Sequence, residues 1–259
     1  MSSKAIAKIR LFVDVPLVLN LKFNLSEMQT HYLCHVMRLP LGSEVSCFNG
    51  QDGEWRCQIT DANKKSCTLT ALEQTKPQIS VPDVWLMFAP LKKDCTDFVI
   101  AKAVELGAAR IIPTITRFTQ NGAVRIDRFA LQAAEAAEQC RRLDVPIIEK
   151  PQSLSVLLDN WPQNRTLFFM DESGNGKPAT EVFGQYRGQP AAILVGPEGG
   201  FAAEELQMLR QQPFAAAVSL GPRILRAETA VAAALAVWQA AAGDWKKTRK
   251  ENNRESFSC

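Results

Sequence analysis

From residue 84 to residue 242 the chain alternates short apolar runs with helix-like segments, and this alternation limits its fold more than any other feature. VWLMFAP (84–90), RIIPTI (110–115), TLFFMDE (166–172), AAILV (191–195) and AAVSL (216–220) read as strands. Between and after them, KKDCTDFVIAKAVELG (stopped by Gly107) and residues 127–142, 202–211 and 227–242 read as helices. Strands apolar along their whole length are buried on both faces, so the pattern implies an α/β class with a mostly parallel sheet. Residues 1–75 follow a different rhythm. RLFVD (10–14), VSCFN (45–49), EWRCQIT (54–60) and SCTLTAL (66–72) are short strands joined by Asn-, Asp- and Gly-rich turns. One helix, capped by Ser26 and running to about Met37, interrupts them. That combination predicts a small barrel. Residues 76–82 read as a linker, which gives domains of 1–75 and 76–243 and a polar tail of 244–259.

Composition narrows the function classes. The chain has 259 residues, 46% of them hydrophobic and 22% charged, as in ordinary globular proteins. No apolar run nears the ~20 residues that span a membrane, and the N-terminus lacks a signal-peptide pattern. Seven cysteines without a CxxC pair suggest reduced thiols in a cytoplasmic protein, and two histidines make a metal site an unpromising expectation. A net charge of +3 permits a nucleic-acid partner without demanding one.

Two strand-to-helix turns concentrate the unusual chemistry. In LVGPEGGFAAEEL (194–206), a buried strand ends on Gly196, Pro197, Glu198, Gly199 and Gly200 before a helix begins. Such a turn is either a plain tight connection or a place where a ligand approaches backbone closely. In VSLGPRILRAETAVAAALAVW (218–238), Arg223 and Arg226 crowd the start of an alanine-rich helix. Glu228 and Thr229 suit a helix N-terminus, whereas cations there oppose the dipole, which points to function for Arg226. On the helix 127–142, Glu135, Glu138, Gln139 and Arg142 share one face, either solvated or open to RNA. Lys92, Lys93, Arg117 and Arg125 are further candidate phosphate contacts. The loop Gly174-x-Gly176 loosely imitates a dinucleotide fingerprint, but Pro178 and the lack of a following acidic strand end argue against it.

HYLCHVMRL (31–39), KAVELGAARIIP (102–113), EAAEQCRRLDVP (135–146), LVGPEGGF (194–201) and LGPRILRAETA (220–230) occur in this order. Together they resemble the RsmE family of small-subunit ribosomal RNA methyltransferases. The resemblance implies a PUA-like β-barrel followed by a SPOUT α/β domain with a trefoil knot, acting as a cytoplasmic homodimer. It implies S-adenosylmethionine as cofactor and N3 of a uridine in 16S ribosomal RNA as the methyl acceptor, with no metal or membrane involved. Gly196, Pro197, Glu198, Gly199, Gly200, Leu220, Gly221, Leu225, Thr229 and Ala230 would then hold the cofactor. Arg226 would stabilise charge on the base, and Glu198 or Glu172 would accept a proton. Arg10, Arg38 and Arg142 would contact RNA. Two other classes stay open: an RNA-binding protein without activity, and a nucleotide-dependent oxidoreductase using the Gly174 loop.

Overall fold

The structure, a computed structural model, describes residues 9–63, 65–120 and 124–245. Most of the tail 244–259 lies outside the described residues. These residues divide into two compact units. The first takes residues 9–80 with Ala137–Val145, and the second takes Val81–Ala136 with residues 146–245.

The first unit is built on a five-stranded sheet of β1 (Arg10–Phe12), β2 (Lys22–Asn24), β3 (Glu44–Phe48), β4 (Glu54–Ala62) and β5 (Cys67–Lys76), ordered β1-β3-β4-β5-β2. Alternating residues such as Val45, Cys47, Cys57, Ile59, Cys67 and Leu69 point into one core. The expected helix after Ser26 exists but is not uniform. Ser26 caps α1 (Glu27–His31) with a reciprocal bond to Gln29, and the chain then widens into a π-helical turn, Tyr32–Val36. It ends with Arg38 in the left-handed region at φ 52°.

The second unit contains β6 (Val84–Phe88), α2 (Lys93–Glu105), β7 (Arg110–Ile115), β8 (Ile147–Ile148), β9 (Gln152–Ser153) and α4 (Leu154–Asp159). The helix α3 (Ile126–Cys140) falls between β7 and β8 in the chain. Then come β10 (Thr166–Met170), β11 (Lys177–Pro178), α5 (Ala179–Val182), β12 (Ala191–Val195), α6 (Ala203–Gln211), β13 (Ala215–Ser219) and α7 (Ala227–Ala241). Every pairing in this sheet is parallel, in the order β11-β13-β10-β12-β6-β7-β8, with β9 beside β7. Side chains alternate across it. Leu167 and Phe169 join one core with Leu194 and Leu209, while Phe168 meets Phe183 and Trp238 with ring centroids 5.1 and 5.7 Å away. Each such buried side chain contributes about 1.5–3 kcal/mol. β12 lies between β6 and β10, and β13 lies on the far side of β10. The loops leaving β12 and β13 therefore emerge on either side of the end of β10.

Two expectations about arginines are corrected here. Arg10 is 9% exposed, and its guanidinium donates to Glu54 Oε2 at 2.7 Å and to the carbonyls of Ala137, Glu138 and Arg142 at 2.9, 2.9 and 2.8 Å. Arg142 is 8% exposed and pairs with Asp144 at 2.6 Å. It does not share a helical face with Glu135, because α3 stops at Cys140 and Arg141 turns the chain at φ 66°. Both cations are internal fasteners of the first unit rather than surface contacts for RNA. Arg38 is exposed.

Candidate active site

The carboxyl ends of β10, β12 and β13 open onto a cleft of about 570 Å³, within the usual range for small-molecule sites. Gly196, Pro197, Glu198 and Gly200 line it from the β12 loop, and Leu220, Gly221, Leu225, Arg226 and Ala230 from the β13 loop and α7. Glu172 lines it from the end of β10. Gly199 and Thr229 are exposed and do not line it; the Cβ position of Gly199 faces Phe118 instead, at 3.4 Å.

The β12 loop is a β-turn closed by the Gly200 N–H on the Pro197 carbonyl at 2.9 Å. Gly200 adopts φ 71°, and a Cβ there would meet Glu172 Oε1 at 1.9 Å. Two constraints, the left-handed backbone and the neighbouring carboxylate, thus fall on Gly200. After the turn, α6 starts with the Glu205 carboxylate accepting from the Ala202 N–H at 3.0 Å and the Arg117 N–H at 2.8 Å. In the β13 loop, Gly221 takes φ 111°, and residues 222–225 make no main-chain hydrogen bond among the described residues. The amides of Arg223, Ile224 and Leu225 and the carbonyls of 222–225 remain available to a ligand.

The charged groups on the walls fall into two kinds. Asp171 is buried and structural: Arg210 pairs with it at 2.8 Å, and the Ser173 N–H donates to it at 2.9 Å. Burial pushes its carboxyl up, but the bonds from Arg210 and Ser173 outweigh that and hold it below the usual aspartate range. Glu172, Glu198, Arg226 and Glu228, by contrast, have no ion pair or side-chain hydrogen bond among the described residues. Arg226 is the N-cap residue of α7, exposed and without a capping bond of its own. Its carbonyl accepts from the Ala230 N–H at 2.8 Å, but its side chain satisfies nothing in the helix.

Sequence reasoning missed part of the wall. Cys95 and Ile224 also line the cleft, and so do Lys92, read above only as a phosphate contact, and Arg223 and Glu228, read above only as part of a helix start. A signal for Lys92 and Cys95 was present. FAPLKKDC (88–95) repeats the pattern of strand end, proline and helix start found at the other two loops. The decoy loop is explained by packing: a Cβ on Gly176 would lie 2.6 Å from the Val218 backbone, so this glycine admits β13. Among the described residues no group of three or more metal-ligating side chains occurs, and no helix is long and apolar enough to cross a membrane.

Residues 77–239 match the family profile described as RNA methyltransferase domain, and residues 25–72 match that of the RNA methyltransferase PUA domain. By fold and site, then, this is a protein of the RNA methyltransferase class, in which a PUA-like unit is followed along the chain by an α/β unit with a parallel sheet. The ribosomal RNA small subunit methyltransferase E of Rickettsia conorii is 35% identical over 228 residues, covering 88% of this chain and 93% of that one. The protein of the same name from Synechocystis is 30% identical over 242 residues, covering 91% and 78%. The crystal structure of the Neisseria gonorrhoeae ribosomal RNA small subunit methyltransferase E bound to S-adenosyl methionine superposes with a TM-score of 0.84. It is 26% identical and covers 92% of this chain and 99% of its own. The chain belongs to the ribosomal RNA small subunit methyltransferase E family.

Proposed function

We propose that this protein transfers a methyl group from S-adenosylmethionine to N3 of a uridine in 16S ribosomal RNA, in the cleft at the ends of β10, β12 and β13. The observation that carries the reading is the convergence there of both glycine–proline loops with an unpaired arginine and unpaired carboxylates. The residues fit the cofactor. Leu220, Leu225 and Ala230 give apolar surface for an adenine ring, and the unbonded main chain at 222–225 can pair with its edge. The loop 196–200 brings backbone close to the ligand, with Gly200 leaving room beside Glu172. When bound, S-adenosylmethionine supplies an electrophilic methyl group on a sulfonium. Positioning and preorganised charge account for most of the acceleration in such a transfer. Arg226 offsets negative charge that develops on the uracil carbonyl oxygens, and Glu198, Glu172 or a water takes the N3 proton. The protein works as a cytoplasmic homodimer with a trefoil knot in its second unit. The first unit, with Arg38, contributes RNA affinity. Calorimetric titration separates the alternatives: S-adenosylmethionine should bind and NADH should not. An RNA-binding protein without activity would take neither, and an oxidoreductase only NADH.

The same titration tests the loop. Gly200→Val should weaken S-adenosylmethionine at least about tenfold, since a β-branched residue at positive φ is strained by more than the ~1–2 kcal/mol of an ordinary side chain. Gly199→Ala should change affinity little, because its Cβ reaches only contact distance from Phe118. Equal affinity for Gly200→Val and the unaltered protein would remove this loop from the cofactor site.

A further inference from the structure

The end of the cleft where α2 and α7 begin holds groups without a role so far. Lys92 is the N-cap residue of α2, its carbonyl accepting from the Thr96 N–H at 2.9 Å, and Cys95 follows within the first turn. Both line the cleft shared by Glu198, Arg226 and Glu228. The Cys95 thiol is raised by its desolvation and then by Glu228 and Glu198, with Arg226 opposing and Asp94 adding to the rise. Lys92 and Arg226 are exposed and form no ion pair among the described residues. A cation at a helix start opposes the dipole, so neither helix explains its lysine or arginine.

Lys92 and Arg226 with Glu198 and Glu228, four of the charged groups that line the cleft without an ion pair among the described residues, make a donor–acceptor–donor set. The pairing edge of uracil is its complement: O2 and O4 accept, and N3–H between them donates. Cytosine presents two acceptors and an amino donor, which would face a cation.

We infer that Lys92 is a base-recognising residue that donates to one uracil carbonyl oxygen while Arg226 takes the other, selecting an imide edge over that of cytosine. This deepens the uridine reading above and rests on it. When the N3 proton leaves for a carboxylate or water, the electron pair left on N3 forms the N–CH3 bond as the C–S bond of the sulfonium breaks. Charge on the ionised imide spreads to O2 and O4, so a cation at each oxygen lowers the pH at which N3 becomes nucleophilic.

The test compares the unaltered protein with Lys92→Met and Lys92→Arg on small ribosomal subunits that lack the modification. Single-turnover rates are measured across pH, alongside S-adenosylmethionine affinity. Lys92→Met should be about tenfold slower at neutral pH, with the apparent pKa of its rate profile about one unit higher and cofactor affinity unchanged. Lys92→Arg should restore most of the rate. An unshifted profile overturns the inference. So does a loss confined to KM for the subunit, which marks a phosphate contact, or a loss of cofactor affinity, which marks a cofactor contact. If the unaltered protein is itself inactive on a uridine-containing subunit, the uridine reading fails and takes the inference with it. An active protein with an unshifted Lys92→Met profile overturns the inference alone.

Discussion

Arg226→Ala is expected to lower single-turnover methylation of the small subunit by roughly 10²–10³, the usual effect of removing one preorganised donor. The expectation rests on where Arg226 stands. It caps α7 without a capping bond, it is exposed, and it faces a cleft rather than a partner. A cation at that position costs about 0.3–1 kcal/mol of helix stability, so its loss should leave the melting temperature unchanged or slightly higher. Cofactor affinity should also hold, because the loops at 196–200 and 220–225 remain. Near-normal turnover would rule out a role for Arg226 in the chemistry. A collapse in melting temperature would assign it to the scaffold instead.

Glu54→Ala should destabilise the first unit by about 3–5 kcal/mol. Glu54 is 2% exposed and bridges two cations, Arg10 at 2.7 Å and Lys76 at 2.7 Å. Lys76 is partly exposed and can turn to water, but Arg10 cannot leave. Its bonds to three carbonyls and its place 4.4 Å over the Phe48 ring would persist around an uncompensated buried charge. Burial raises the Glu54 carboxyl, yet Lys76 and Arg10 outweigh burial and hold it below its ordinary value. Its contribution is therefore present above the unfolded glutamate value and lost as pH falls through the lower folded one. Urea unfolding at several pH values checks both points. The variant should unfold at a lower urea midpoint and show a flatter acid limb. A midpoint equal to that of the unaltered protein would mean that the Arg10–Glu54 pair contributes nothing net.

The same arginine shows where a sequence stops being informative. β7 and β12 fall on RIIPTI (110–115) and AAILV (191–195), because a run buried on both faces announces itself locally. The glycine–proline turns were equally visible, since backbone demands are written in the turn residues themselves. Arg10, by contrast, is bound by carbonyls more than 120 positions away, and nothing near it in the chain signals their approach. The order of the strands was hidden for a similar reason. The insertion of β12 between β6 and β10 is set by crossovers, not by any residue in the strands. Lys92 and Cys95 join a cleft whose other walls lie from about 75 to 135 positions further on. The π-helical turn at Tyr32–Val36 breaks a periodicity that reads as one plain helix.

The most direct test of the account is to map the transferred methyl group. Small ribosomal subunits lacking the modification are incubated with the protein and S-adenosylmethionine labelled on its methyl carbon, and their RNA is then digested and sequenced by mass spectrometry. The account predicts one label, on N3 of a single uridine of 16S ribosomal RNA, strongly reduced with Arg226→Ala. Tight cofactor binding with no label in the RNA, or a label on any atom other than a uridine N3, would contradict it.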